Sequence, residues 1–150
     1  AGLQKILQES TLALLRNPDL WVYANLEAGK VPFQAAEATF NRLSMTERSK
    51  LDSEIISNFS GQISSRIESN SGESGETNEY IAVTLILATK NQLNLDNSVS
   101  TETLKESLQI IGAISSSDLI ALELIWQPEG AGEVLSSEEL VTAYPNLKHL

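Results

Sequence analysis

Two apolar runs in the second half of the chain, EYIAVTLILATK at 79–90 and DLIALELIWQPEG at 118–130, constrain the fold most, because an amphipathic stretch, TLKESLQIIGAIS, lies between them. Tyr80 to Thr89 is apolar on both alternations, the pattern of a central strand covered on both faces. In the second run Ile120, Leu122, Leu124 and Trp126 share one face and Glu123 lies on the other, with Pro128 and Gly130 as stops. Between the runs, Ser100 or Thr101 can cap a helix carrying Leu104, Leu108 and Ile111 on one side, with Gly112 near its end. Strand, helix, strand predicts a parallel pair with a right-handed crossover. A last helix follows: Ser136 and Glu139 form a capping box, and Leu135 can staple to Leu140 before Tyr144-Pro145 ends it.

The first half is more helical. Leu3, Ile6, Leu7 and Leu14 have helical spacing, and Asn17-Pro18 closes that helix. Leu20 to Leu26, with Trp21, Val22 and Tyr23, favours a strand that would add to the same sheet. Pro32 suits a first helical position, and Phe33, Ala36, Phe40 and Leu43 mark one face. Ser44 and Glu47 fit a capping box, so a new helix is expected at Ser44, with Leu51, Ile55, Phe59 and Ile63 continuing its period into the sixties. Residues 68–79 (ESNSGESGETNE) hold nothing apolar and read as a mobile loop within one domain. The expected class is α+β: a small mixed or parallel sheet of about three strands under four to five helices.

Charge narrows the partners. Residues 1–75 carry 7 Lys/Arg and 9 Asp/Glu, whereas residues 76–150 carry 3 and 11. An acidic field of this kind repels phosphate backbones and anionic headgroups, so no nucleic-acid partner is expected. Without cysteine there is neither disulfide nor thiolate metal site, which fits a reducing compartment. The chain starts at Ala1 and its one methionine is Met45, so it reads as a fragment or a processed product, and any targeting or membrane segment would lie upstream. No stretch within it reaches the about twenty apolar residues that span a bilayer.

The residues offer little chemistry. His149 is the one histidine and has no cysteine to join it, so no metal is expected. As the base of a triad it would sit at a frayed end. Gly72-Glu73-Ser74-Gly75 lacks the spacing and strand–helix setting of a nucleophile elbow. Asp96, Ser98 and Ser100 alternate like the start of a calcium loop, but Thr101 and Ser107 stand where its glycine and glutamate belong. The acidic groups Glu73/Glu76/Glu79 and Glu138/Glu139 read as a solvated loop and the favourable end of a helix dipole. No glycine loop follows either strand to cradle a phosphate, so no cofactor is expected. Glu123 interrupts an apolar strand and reads as an outward-facing strand position; the alternative is a candidate buried acid with a raised pKa. The Asn58-Phe59-Ser60 sequon falls on a predicted helix and reads as chance. For action by contact, Glu138, Glu139 and Tyr144 on the last helix form the candidate partner surface.

The segments NPDLWVYAN, FNRLSMTERSK, NEYIAVTLILAT and the ending IALELIWQP…LSSEELVTAYPNL together resemble the cyanobacterial and chloroplast domain of unknown function 1517 family, the fluctuating light acclimation protein-like group. The resemblance runs from about residue 7 to 150, and it implies a membrane-anchored protein whose hydrophobic and glycine-rich segments precede this domain. It further implies a place at cyanobacterial or chloroplast membranes and a part in proton homeostasis and photoprotection. It supplies no catalytic or ligand residues. Its signature residues Trp21, Asn25, Trp126 and Pro128 are read as structural, with both tryptophans packed in the core. The reading that follows is a non-enzymatic domain acting by protein–protein contact. The alternative is a sensor or enzyme with a pocket at the strand ends of the 80–127 unit.

Overall fold

The computed structural model describes residues 2–59, 79–127 and 134–150. The fold is α+β. Among the described residues the order is α1 (Gly2–Leu15), β1 (Tyr23–Ala24), α2 (Ala36–Phe59), β2 (Ala82–Thr89), α3 (Thr101–Gly112), β3 (Leu119–Gln127), α4 (Ser137–Ala143) and β4 (Lys148–His149). The loop expected at 68–79 lies outside the described residues except for Glu79.

The strands form two separate two-stranded sheets, β1–β4 and β2–β3. This corrects the expectation of one sheet. β1 pairs antiparallel with β4, Tyr23 opposite His149 and Ala24 opposite Lys148, and the Leu150 N–H donates to the Val22 carbonyl at 2.9 Å. β2 and β3 are antiparallel too, not a parallel pair. The Lys90 N–H, one residue past β2, donates to the carbonyl of Asp118, one residue before β3, at 2.9 Å. The chain therefore re-enters the sheet at the end it left, whereas a parallel crossover would return it to the opposite end. Among the described residues its sheet has two strands, so β2 is an edge strand there and not a central one. Its half-buried pattern with Ile86 buried still explains why it is apolar on both alternations.

The chain divides into two compact units, residues 1–40, 86–123 and 146–150 in the first and 41–85 and 124–145 in the second. In the first unit α1 lies against α3. Its core holds Leu7, Ile86, Leu108, Ile111, Ile114 and Leu119. Thr11 is also buried, and its hydroxyl donates to the carbonyls of Leu7 and Gln8, both at 3.0 Å, so no polar atom is stranded there. Leu3 and Ile6, expected inside, are exposed. α3 begins with Ser100 as its cap: the Ser100 hydroxyl accepts from the Thr103 N–H, and the Thr103 hydroxyl accepts from the Ser100 N–H.

In the second unit Leu135, Leu140, Ala143 and Tyr144 are buried around α4. The capping box read from Ser136 and Glu139 is present, with bonds of 3.1 and 3.0 Å. The second box, at Ser44, is not. α2 runs unbroken through it, and Ser44 is buried within the helix. Serine and glutamate are tolerated inside helices, and between Ala36 and Phe59 there is no glycine or proline to stop one. Phe33 and Leu43, read with Ala36 and Phe40 as one helical face, are exposed, and Phe33 lies in a short turn before α2.

Candidate functional site

The residues singled out from the sequence fall in different places. Glu138 is exposed on the first turn of α4. Glu139 is half-buried, because its carboxylate accepts from the Ser136 N–H as part of the cap. Tyr144, expected on the partner surface, is buried at 8% exposure. It follows α4 directly, its N–H donates to the Leu140 carbonyl, and the Lys50 ammonium stands 4.8 Å from its ring centroid. That lysine is also ion-paired with Glu47 at 3.0 Å, so a charged side chain stands over the ring.

Glu123 is half-buried. It shares its side of β3 with Leu119 and Gln127, both buried, while Ile120 and Trp126 at the two ends of the other side are exposed. The face expected to be inward is therefore the more open one. Trp126, read as core, is 45% exposed, and Pro128 lies outside the described residues. Trp21 is half-buried, and its indole N–H donates to the Leu14 carbonyl at 3.1 Å, which ties β1 back to α1. Asn25 is exposed and donates to the Glu27 carboxylate at 3.0 Å.

His149 is held, not frayed. It lies in β4, edge-on to Tyr23 with 5.0 Å between centroids and 82° between ring planes. Asp96 is fully exposed and turns onto its own loop. Its carboxylate accepts from the Ser98 hydroxyl at 2.6 Å and the Ser98 N–H at 2.9 Å, and the hydroxyl bond, then the backbone bond, holds its pKa below the usual aspartate value. Among the described residues no three His, Asp or Glu side chains gather as metal ligands.

Sequence reasoning missed two residues. Gln127 is 1% exposed, and its Nε2 has no hydrogen-bond partner among the described residues. A polar residue ending a strand carries no sign of its burial. The other is Ile81, which is 59% exposed beside the half-buried β2 and continues the apolar run without interruption.

A family model matches residues 1–150, and its description is "Protein of unknown function (DUF1517)". The chain belongs to the DUF1517 family. A Synechocystis protein named Protein FLAP1 homolog A is 43% identical over 98% of this chain and 46% of its own length. The Arabidopsis thaliana FLUCTUATING-LIGHT-ACCLIMATION protein 1, chloroplastic, is 38% identical over 99% of this chain and 38% of its own length. This DUF1517 chain thus spans less than half the length of the curated relatives it matches. No solved structure matches it. Among the described residues no helix is long and apolar enough to cross a membrane.

Proposed function

We propose that this chain is a non-enzymatic contact domain of a membrane-anchored protein that takes part in acclimation of photosynthetic membranes to changing light. Family membership with relatives named for light acclimation carries the reading. The exposed apolar residues of the second unit, Ile81, Trp126 and Val141 among them, support contact with another protein. The sensor or enzyme reading rested on the crevice at the carboxyl ends of parallel strands. With β2 and β3 antiparallel, a pocket at the strand ends of the 80–127 unit would lack that parallel-strand crevice, which favours the contact reading.

The test is capture of the tagged full-length protein from photosynthetic membranes before and after a step in light intensity. A specific protein partner whose recovery changes with the step is the expected result. Recovery of none at low salt, together with saturable binding of a metabolite, would sink the contact reading.

A further inference from the structure

In the described parts of the chain Ser44, Ser49, Thr103, Ser115 and Ser136 each have an Asp or Glu three positions later. A hydroxyl with an acid at that spacing suits a protein kinase whose substrate groove is lined by basic side chains. Transfer also needs backbone that can enter the groove, which an exposed loop offers and a helix interior does not.

The structure separates these residues. Ser44 is buried within α2. Ser49 lies in the same helix and donates to the Thr46 carbonyl at 2.8 Å. The Thr103 hydroxyl is tied into the α3 cap, where it accepts from the Ser100 N–H and donates to the Ser98 carbonyl. The Ser136 hydroxyl holds the Glu139 N–H in the α4 cap. Ser115 lies between α3 and β3, outside any helix or strand, and is exposed together with Ser116 and Ser117. Its hydroxyl meets that of Ser117 at 3.1 Å, so a phosphate ester there displaces no buried bond. Its carbonyl accepts from the N–H groups of Asp118 and Leu119, both at 3.1 Å, which folds the acid back beside the serine. The Asp118 carboxylate accepts from Asn91 through Oδ1, and no described residue binds Oδ2.

We propose that Ser115 is a phosphorylation site for an acid-directed protein kinase, with Asp118 as the acid it reads. The Ser115 hydroxyl oxygen attacks the terminal phosphorus of a nucleoside triphosphate. The bond from that phosphorus to its bridging oxygen breaks, and a nucleoside diphosphate and the hydroxyl proton leave. The ester adds a charge of about −1.5 to −2. That charge stands just past the C-terminal end of α3, where the helix dipole is negative, and one turn from the Asp118 carboxylate. Both neighbours repel it, so phosphorylation loosens the Asn91–Asp118 closure that holds the ends of the connection carrying α3.

The experiment treats the isotope-labelled chain with an acid-directed casein kinase and magnesium-ATP. One phosphate is expected, placed on Ser115 by fragment masses and absent from Ser115→Ala. Asp118→Asn, which keeps the shape and removes the charge, should slow transfer about tenfold. Circular dichroism verifies that both variants fold. Amide exchange at Asn91 and Leu119 should run about two- to fivefold faster in the phosphorylated chain. No phosphate on the folded chain would overturn the site, and modification of a free peptide of residues 111–121 in the same assay would show that the turn is what withholds it. Phosphate on Ser116 or Ser117 instead, or an equal rate in Asp118→Asn, would overturn it as well. Unchanged exchange at Asn91 in the phosphorylated chain would overturn the coupling to the closure.

Discussion

The carboxylate of Asp118 receives both the backbone N–H of Asn91, at 2.9 Å, and its side-chain amide, at 3.1 Å, across 27 residues of chain. This clamp sits where β2 ends and β3 begins, beside the Lys90–Asp118 backbone bond. It closes the long connection that holds α3 and marks the antiparallel return. Asp118→Ala should lower stability by about 1 kcal/mol, since charge-assisted bonds at a partly exposed site lie at the low end of their range. Chemical denaturation measures it, and Asn91→Ala should then add little in the double variant.

Gly112 is required by its neighbour more than by its backbone. A Cβ there would lie 2.5 Å from Thr11 Oγ1 and 3.4 Å from Thr11 Cβ, where α3 meets α1. Gly112→Ala should therefore destabilise by about 1–3 kcal/mol despite alanine's better helix propensity. Thr11→Ala in the same chain removes the obstructing atoms, so the double variant should be more stable than the sum of the two single effects. Thermal melts of the four forms test this.

Gln127 keeps its Nε2 in a 1% exposed position without a partner among the described residues. A buried donor left unpaired carries its full desolvation cost. Gln127→Met, close in shape and lacking the amide, should raise stability by about 1 kcal/mol. A lower melting temperature in the variant would show that the amide is satisfied in solution.

Ser98→Ala should raise the pKa of Asp96 toward the ordinary aspartate value, because the hydroxyl bond is the larger of the two causes holding it down. The backbone bond remains, so the rise should be incomplete. A depressed carboxyl contributes stability above its unfolded pKa and loses it as pH falls through the folded one. In the variant that contribution should be smaller, and its loss should be complete at a higher pH. Carboxyl chemical shifts followed from about pH 7 into the acid range read the midpoint directly.

The helices were legible where their signals are local. The spacing of Leu7 and Leu14, the Ser100 cap and the Ser136–Glu139 box each involve residues within a turn or two of one another. The Ser44–Glu47 pair shows the limit. The same residue types sit inside α2, because a capping signature ends nothing unless the preceding helix also has a reason to stop. The candidate surface was legible only in part. Glu138 is exposed as read, whereas Tyr144 is buried, since which side of a short helix faces the core depends on its neighbours.

Sequence alone determined that this chain is α+β, that its apolar runs are strands and which residue caps α4, and it narrowed the cap of α3 to Ser100 or Thr101. It also identified the family. These follow from periodicity, turn chemistry and motif. Only the tertiary structure decided that β2 and β3 run antiparallel, that β1 joins β4 in a separate sheet and that Gly112 makes room for Thr11. It likewise decided that Ile81 and Val134 stand exposed. A helix between two strands is compatible with either return direction. The choice is made by hydrogen bonds and close packing between residues far apart in the chain, and such pairings leave no mark on local pattern.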